Sequence, residues 1–421
     1  MDKNIIKDII IRQQELVTTI PFVEREYELE DNANYVLVGL RRAGKTYLLY
    51  QHIHHLLHSG VKKEQILFVN FEDEQINNIT VGELHLILET YQDMFGLQPV
   101  IFLDELQNID GWEHFARRLA DEKYRVYITG SNAHMLSRDI ASTLGGRYLM
   151  REVFPFSFSE YLHYNGLKLS KNWQFGKQRG DVRRLFDAYF YYGGLSESFS
   201  IKDKRNYLTG LYQKILLSDI VVRNGIRNER SLNLLVKRLA DSVLQPSSIN
   251  RLQNILSGAG QKITREKVDD FLDYLHDAYV TFYIANFTNE DGEREGTKKR
   301  YFYDNGILNL FLYQPETKLL ENLVAIKLYE TYGDRLFFYR RNIEVDFVIP
   351  DANTAVQVCY KVSEPQTFER EISALVSLNG YKKFERNILI TLDEETSIER
   401  ETCKIEVLPI WKWLLSPQPL P

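Results

Sequence analysis

Cysteine is scarce in this chain: two in 421 residues, Cys359 and Cys403. Neither stands at metal-ligand spacing from a partner. That excludes a cysteine zinc site and a disulfide framework, and it predicts a reducing, cytoplasmic setting. Apolar runs long enough to span a membrane are missing. Residues 1–6 lack the apolar core and cleavage site of a secretory leader. Positive charge is not in excess. The 52 Lys and Arg against 58 Asp and Glu leave a net charge of -6, a field that does not favour nucleic acid, though a local basic patch stays open. Internal repeats and low-complexity tracts are missing as well. What is there, 44% hydrophobic and 26% charged residues, is a globular composition, and the length exceeds one ordinary core, which predicts two or three domains.

The most informative stretch is Gly39-Leu40-Arg41-Arg42-Ala43-Gly44-Lys45-Thr46, which reads G-x-x-x-x-G-K-T. Before it, Tyr35-Val36-Leu37-Val38 reads as a buried strand. After it, Tyr47 to Ile53 carries one apolar helical face. In a strand–loop–helix of this kind the loop N–H groups point at a phosphate, and the helix N-terminus adds partial positive charge. Lys45 is then expected to reach the β- and γ-phosphates of ATP and Thr46 to bind Mg²⁺, with residues 39–47 as the nucleotide cradle. Arg41 and Arg42 face solvent, or one of them neutralises phosphate charge.

A second pattern follows. Val100 to Leu103 reads as a buried strand that ends in Asp104-Glu105. Such a strand delivers Asp104 to the Mg²⁺ shell and leaves Glu105 at its tip as general base for water. Between the two motifs Gln65 to Phe71 reads as another strand, tipped by Glu72-Asp73-Glu74. A further strand, Tyr124 to Gly130, precedes Ser131-Asn132. A polar residue at this tip suits a phosphate or water sensor: Asn132 or Ser131, with Thr129 next. Arg147, after Gly145-Gly146, is the candidate for stabilising charge on the transferred phosphoryl group, in its own chain or a neighbour's; a surface arginine is the ordinary alternative.

These motifs, together with Phe154-Pro-Phe-Ser-Phe-Ser-Glu-Tyr161, resemble the prokaryotic AAA-family ATPases that carry a C-terminal domain of unknown function resembling a PD-(D/E)xK nuclease fold. The resemblance implies an α/β P-loop domain of the additional-strand, catalytic-glutamate branch over 1–160. A helical lid (161–230), a winged-helix-like region (231–310) and a PD-(D/E)xK-like domain (311–421) are expected behind it. It implies an ATPase whose catalytic residues are Lys45, Glu105, Asn132 or Ser131, and Arg147, with Thr46 and Asp104 at the metal.

Residues 2–17 show helical spacing, as do 80–95, 181–192 and 207–222. The winged-helix reading rests on helices over 231–244, 247–256 and 264–278 and strands over 279–287 and 299–303. Its third helix carries Glu266, Asp269, Asp270, Asp273 and Asp277, which would repel phosphates and point to a protein partner. Arg294, Lys298, Lys299 and Arg300 read as a solvated basic wing tip. In the last domain an active nuclease needs Asp346, then an acid and a lysine two positions apart on the next strand; that strand offers Gln357 and Cys359. Lys361 and Glu321 could supply a migrated site, but a degenerate fold kept for binding is the favoured reading. The expected function is Mg²⁺-dependent ATP hydrolysis that moves a C-terminal interaction module. A slow nucleotide-gated switch and an ATP-licensed DNA nuclease are the alternatives. Oligomeric state is left open.

Overall fold

The computed structural model describes residues 2–288, 296–360, 365–400 and 403–416. The chain forms two compact units: residues 1–154 with the short segment 277–279, and residues 155–276 with 280–421. A first domain is expected over 1–160. The three regions expected beyond it form a single unit.

In the first unit α1 (Lys3–Thr19) is followed by β1 (Tyr35–Val38), α2 (Lys45–His58), β2 (Ile66–Asn70), α3 (His85–Phe95), β3 (Val100–Asp104), α4 (Trp112–Asp121), β4 (Arg125–Gly130), α5 (Arg138–Leu144) and β5 (Leu149–Glu152). The strands make one parallel sheet in the order β2-β3-β4-β1-β5. Its inner strands are continuous apolar runs because both faces are covered; Leu37, Phe68, Phe102 and Tyr127 pack with Leu48 and Ile53 of α2 in one core. The strand standing between β1 and β3 is β4. β2, which lies between the two motifs in the chain, takes the edge. α1 covers that edge and satisfies its backbone: Gln14 Nε2 donates to Ile66 O at 2.7 Å, and Asn70 N donates to Gln13 Oε1 at 3.0 Å.

The second unit begins with α6 (Phe158–Tyr164), α7 (Lys177–Tyr192), α8 (Lys204–Lys214), a π-helical stretch Ile215–Val222, α9 (Glu229–Asp241), α10 (Ile249–Gly258) and α11 (Arg265–Asp277). Then come β6 (Thr281–Asn286), β7 (Lys298–Phe302), α12 (Asn305–Asn309), α13 (Glu316–Tyr332), β8 (Phe337–Arg340), β9 (Glu344–Ile349), β10 (Thr354–Cys359), α14 (Pro365–Tyr381), β11 (Arg386–Thr391), β12 (Thr396–Arg400), β13 (Cys403–Pro409) and α15 (Ile410–Trp413). The eight strands form one mixed sheet, β12-β13-β11-β10-β9-β8-β6-β7. The β6–β7 hairpin, expected as a separate wing, joins the C-terminal strands through parallel pairing of Ala285 with Phe337 and Asn286 with Phe338. Lys299 is correspondingly not solvated: it is fully buried. Arg300 is half-buried and donates to Ser247 O at 3.2 Å. Arg294 and Lys361 lie outside the described residues.

Candidate active site

The loop after β1 needs glycine at both ends. A Cβ on Gly39 would sit 2.2 Å from Val153 O, and Gly44 has φ +98°, a conformation open chiefly to glycine. Leu40 and Ala43 are buried beneath the loop, while Arg42 is exposed at φ 68° and Tyr47 is 43% exposed. Lys45 is 3% exposed. Its Nζ donates to Gly39 O at 3.0 Å and Leu40 O at 3.1 Å and lies 3.9 Å from Glu105 Oε1. Arg41 pairs with Glu72 at the tip of β2, at 2.9 Å. Its neighbour Asp73 turns to Arg12 and Gln13 of α1.

Parallel pairing sets the C-terminal ends of β1, β4 and β3 side by side, where open α/β sheets hold their ligands. Thr46 Oγ1 donates to Asp104 Oδ1 and Oδ2 at 3.0 and 3.1 Å. Thr129 Oγ1 donates to Asp104 Oδ1 at 2.6 Å and accepts from Glu105 N at 2.9 Å. Glu105 has φ 55°, so the chain turns sharply after the strand and keeps its carboxylate beside Lys45. Gln107 Nε2 donates to Glu105 Oε2 at 2.6 Å and to Ser131 Oγ at 3.3 Å. Burial, then the charge of Glu105, raises the Asp104 carboxyl to about 7. Burial also acts to raise Glu105. Lys45, Gln107, Arg41 and Ser131 outweigh it, and the group titrates below its ordinary value.

Lys45, Thr46, Asp104 and Glu105 thus meet in one network. Of the three sensor candidates, Thr129 is bonded to Asp104 and Ser131 to Gln107. Asn132 instead caps the next turn, its side chain accepting from His134 N at 2.8 Å. Arg147 is held by Asp121 and by Gly145 O, outside this network. Two further residues serve the site with no role assigned to them from the sequence. Gln107 follows the acidic pair by two positions and could have been weighed. Arg25 stands in no motif; it is 4% exposed and donates to Ala43 O at 2.9 Å and to Phe154 O at 3.0 Å, holding the loop from below.

A glycine loop and a strand-borne acidic pair on this parallel sheet define an AAA-type P-loop protein. Residues 31–162 match an AAA domain, which implies ATP binding, and residues 183–318 match a domain of unknown function (DUF8612). The chain belongs to the family of an uncharacterized protein of Methanocaldococcus jannaschii, to which it is 31% identical over 99% of its own length and 96% of the relative's. An uncharacterized protein of Haemophilus influenzae is 28% identical over 90% of this chain and 94% of its own. Among solved structures, the Walker-type ATPase paby2304 of Pyrococcus abyssi aligns with 70% of this chain and 99% of its own, at 13% identity and a TM-score of 0.40. The match to the domain of unknown function lies in the middle of the chain and crosses the expected boundaries at 230 and 310.

Proposed function

We propose that the chain binds ATP with Mg²⁺ and hydrolyses it, and that the nucleotide state is read out by the second unit as a conformational change. The observation that carries this is the single network of Lys45, Thr46, Asp104, Thr129 and Glu105. Lys45 neutralises phosphate charge. The Thr46 hydroxyl and Asp104 carboxylate, 3.0 Å apart, are hard oxygen donors that fit Mg²⁺, which would draw electron density from the phosphate oxygens. Glu105 orients and deprotonates water. Thr129 and Ser131 are better placed than Asn132 to sense that group. Arg147, facing away in its own chain, is read as acting on a neighbouring copy's nucleotide.

A slow, switch-like turnover is the second reading, favoured because Gln107 and Lys45 already engage the Glu105 carboxylate. One panel tests both. Lys45→Ala should abolish ATP binding, and Glu105→Gln should bind ATP with turnover down about a hundredfold. Gln107→Ala should turn over faster if the clamp is what slows the enzyme. Arg147→Ala should lower turnover without weakening binding, and wild-type activity should rise with oligomerisation. Hydrolysis unchanged in both the Lys45 and Glu105 variants sinks the assignment.

We read α9 to α11 with the β6–β7 hairpin as a winged-helix-like element that contacts protein, since exposed Glu266, Asp269 and Asp273 line its third helix. Residues 311–421 are read as a nuclease-like fold kept for binding, with Gln357 and Cys359 where cleavage would need an acid and a lysine.

A further inference from the structure

Three segments of the second unit meet at one buried ammonium. Lys299 Nζ on β7 lies 3.2 Å from Glu321 Oε1 on α13, and 3.0 Å from Glu344 Oε1 and 2.9 Å from Asp346 Oδ1 on β9. Lys299 is fully buried, and Glu321 and Asp346 are 5% and 7% exposed. The carboxylates are fixed from outside: Tyr301 OH donates to Glu321 Oε1 at 2.8 Å, and Val358 N donates to Asp346 Oδ2 at 3.1 Å. Glu321, Glu344 and Asp346 also line a cavity of about 850 Å³, which gives the cluster a path to small solutes.

Carboxylates converging on one buried point are what a hard divalent cation takes. Such a cation needs oxygens at about 2.0–2.6 Å. Here they stand at 2.9–3.2 Å, the distance of an ammonium. Among the described residues no group of three or more His, Cys, Asp or Glu is arranged to hold a metal. A buried lysine without carboxylates is strongly disfavoured, and so are buried carboxylates without a cation. Each therefore requires the other, and a metal cannot enter without expelling Lys299.

We infer that Lys299 is a tethered cation filling a divalent-cation site, so that the native second unit takes no metal there and acquires a metal site when the ammonium is removed. The inference is independent of the ATPase reading. It is tested on the nucleotide-free full-length chain titrated with Mn²⁺, followed by the paramagnetic signal of free Mn²⁺ and by thermal melts. Wild type and Asp346→Asn should give superimposable binding curves. Lys299→Ser should bind one further Mn²⁺ per chain, at least about tenfold tighter than any wild-type site, and melt higher with Mn²⁺ than without. The double variant Lys299→Ser/Asp346→Asn should lose that gain. Mn²⁺ held by wild type and lost in Asp346→Asn overturns the inference, as does a folded Lys299→Ser that gains nothing. Should Lys299→Ser fold only with Mn²⁺ present, that rescue is the expected gain in another form. Should it fold under neither condition, Lys299→Met, which keeps the bulk and removes the charge, takes its place in the titration, and wild type against Asp346→Asn decides that the native unit takes no metal there.

Discussion

Thr129 ranks behind Asn132 and Ser131 as a sensor by sequence, yet its hydroxyl bridges the Asp104 carboxylate and the Glu105 backbone. A partner that orients a ligating carboxylate is commonly worth ten- to a hundredfold in activity. Thr129→Val should therefore lower kcat about tenfold or more, while Asn132→Ala, which loses a turn cap, should cost about 1 kcal/mol of stability and little turnover; steady-state kinetics and urea melts of both separate the two roles. His52 illustrates a different consequence of burial. It lies in the core of the first unit against Tyr127, with ring centroids 4.4 Å apart, and its Nε2 has no hydrogen-bond partner. Burial lowers its pKa from 6.5 to about 4. The unfolded chain then binds a proton below pH 6.5 that the native chain refuses until about pH 4, so stability is full above 6.5 and is lost as pH falls. Between pH 7.5 and 5.5 this one group should withdraw roughly 1.4 kcal/mol. Urea melts of wild type and His52→Leu at both pH values should show wild type losing that much relative to the variant, a difference that cancels carboxyls such as Asp104 that titrate in the same range.

The phosphate loop is held as an element by side chains that no motif announces. Arg25 reaches Ala43 O inside the loop and Phe154 O just beyond β5. Replacing it with methionine removes both charge-assisted hydrogen bonds. Arg25→Met should cost roughly 2–4 kcal/mol of stability, with part of that cost restored by ATP if the nucleotide reorders the loop; melts with and without ATP check it. The contrast with Gly39 and Lys45 explains what was legible in the sequence. The loop, its strand and its helix are local, and glycine is demanded at fixed positions by φ and by close backbone approach. β3 was legible because it is apolar to its end and then abruptly acidic. Arg25 was not, because its partners lie 18 and 129 positions away. The burial of Lys299 is hidden in the sequence for the same reason. In a hairpin between other basic residues a lysine reads as solvated, and only Glu321, Glu344 and Asp346, arriving from later segments, make it a core residue. The order of the first sheet was likewise hidden: chain order suggests β2 between the two motifs, whereas packing of successive crossovers puts β4 there.

At the scale of the whole chain, the regions that sequence reading separated at 230 and 310 share one hydrophobic and polar interior. β6 continues the C-terminal sheet through β8; Phe282 stacks on Tyr329 at a ring distance of 4.3 Å, and Tyr301 packs tilted against Phe347 at 5.7 Å. Asn322 ties α13 to β7 and α12, bonding Phe302 N, Phe302 O and Asn305 Oδ1 at 2.7 to 3.0 Å. Asn305 in turn donates to Phe190 O of α7 at 3.0 Å. A fragment cut at the expected nuclease boundary, 311–421, would lose β6, β7, α12 and the ammonium of Lys299. Glu321 and Asp346 would then lose their cation, and Tyr329 and Phe347 the rings of Phe282 and Tyr301 that cover them, which opens this part of the interior to water. The fragment 155–421 keeps every one of these contacts. Expressed separately, 155–421 should melt cooperatively with near-ultraviolet circular dichroism from its packed aromatics, and 311–421 should show neither. A folded 311–421 would mean that the hairpin is an appendage of the sheet, and that Lys299 is dispensable to the fold it completes.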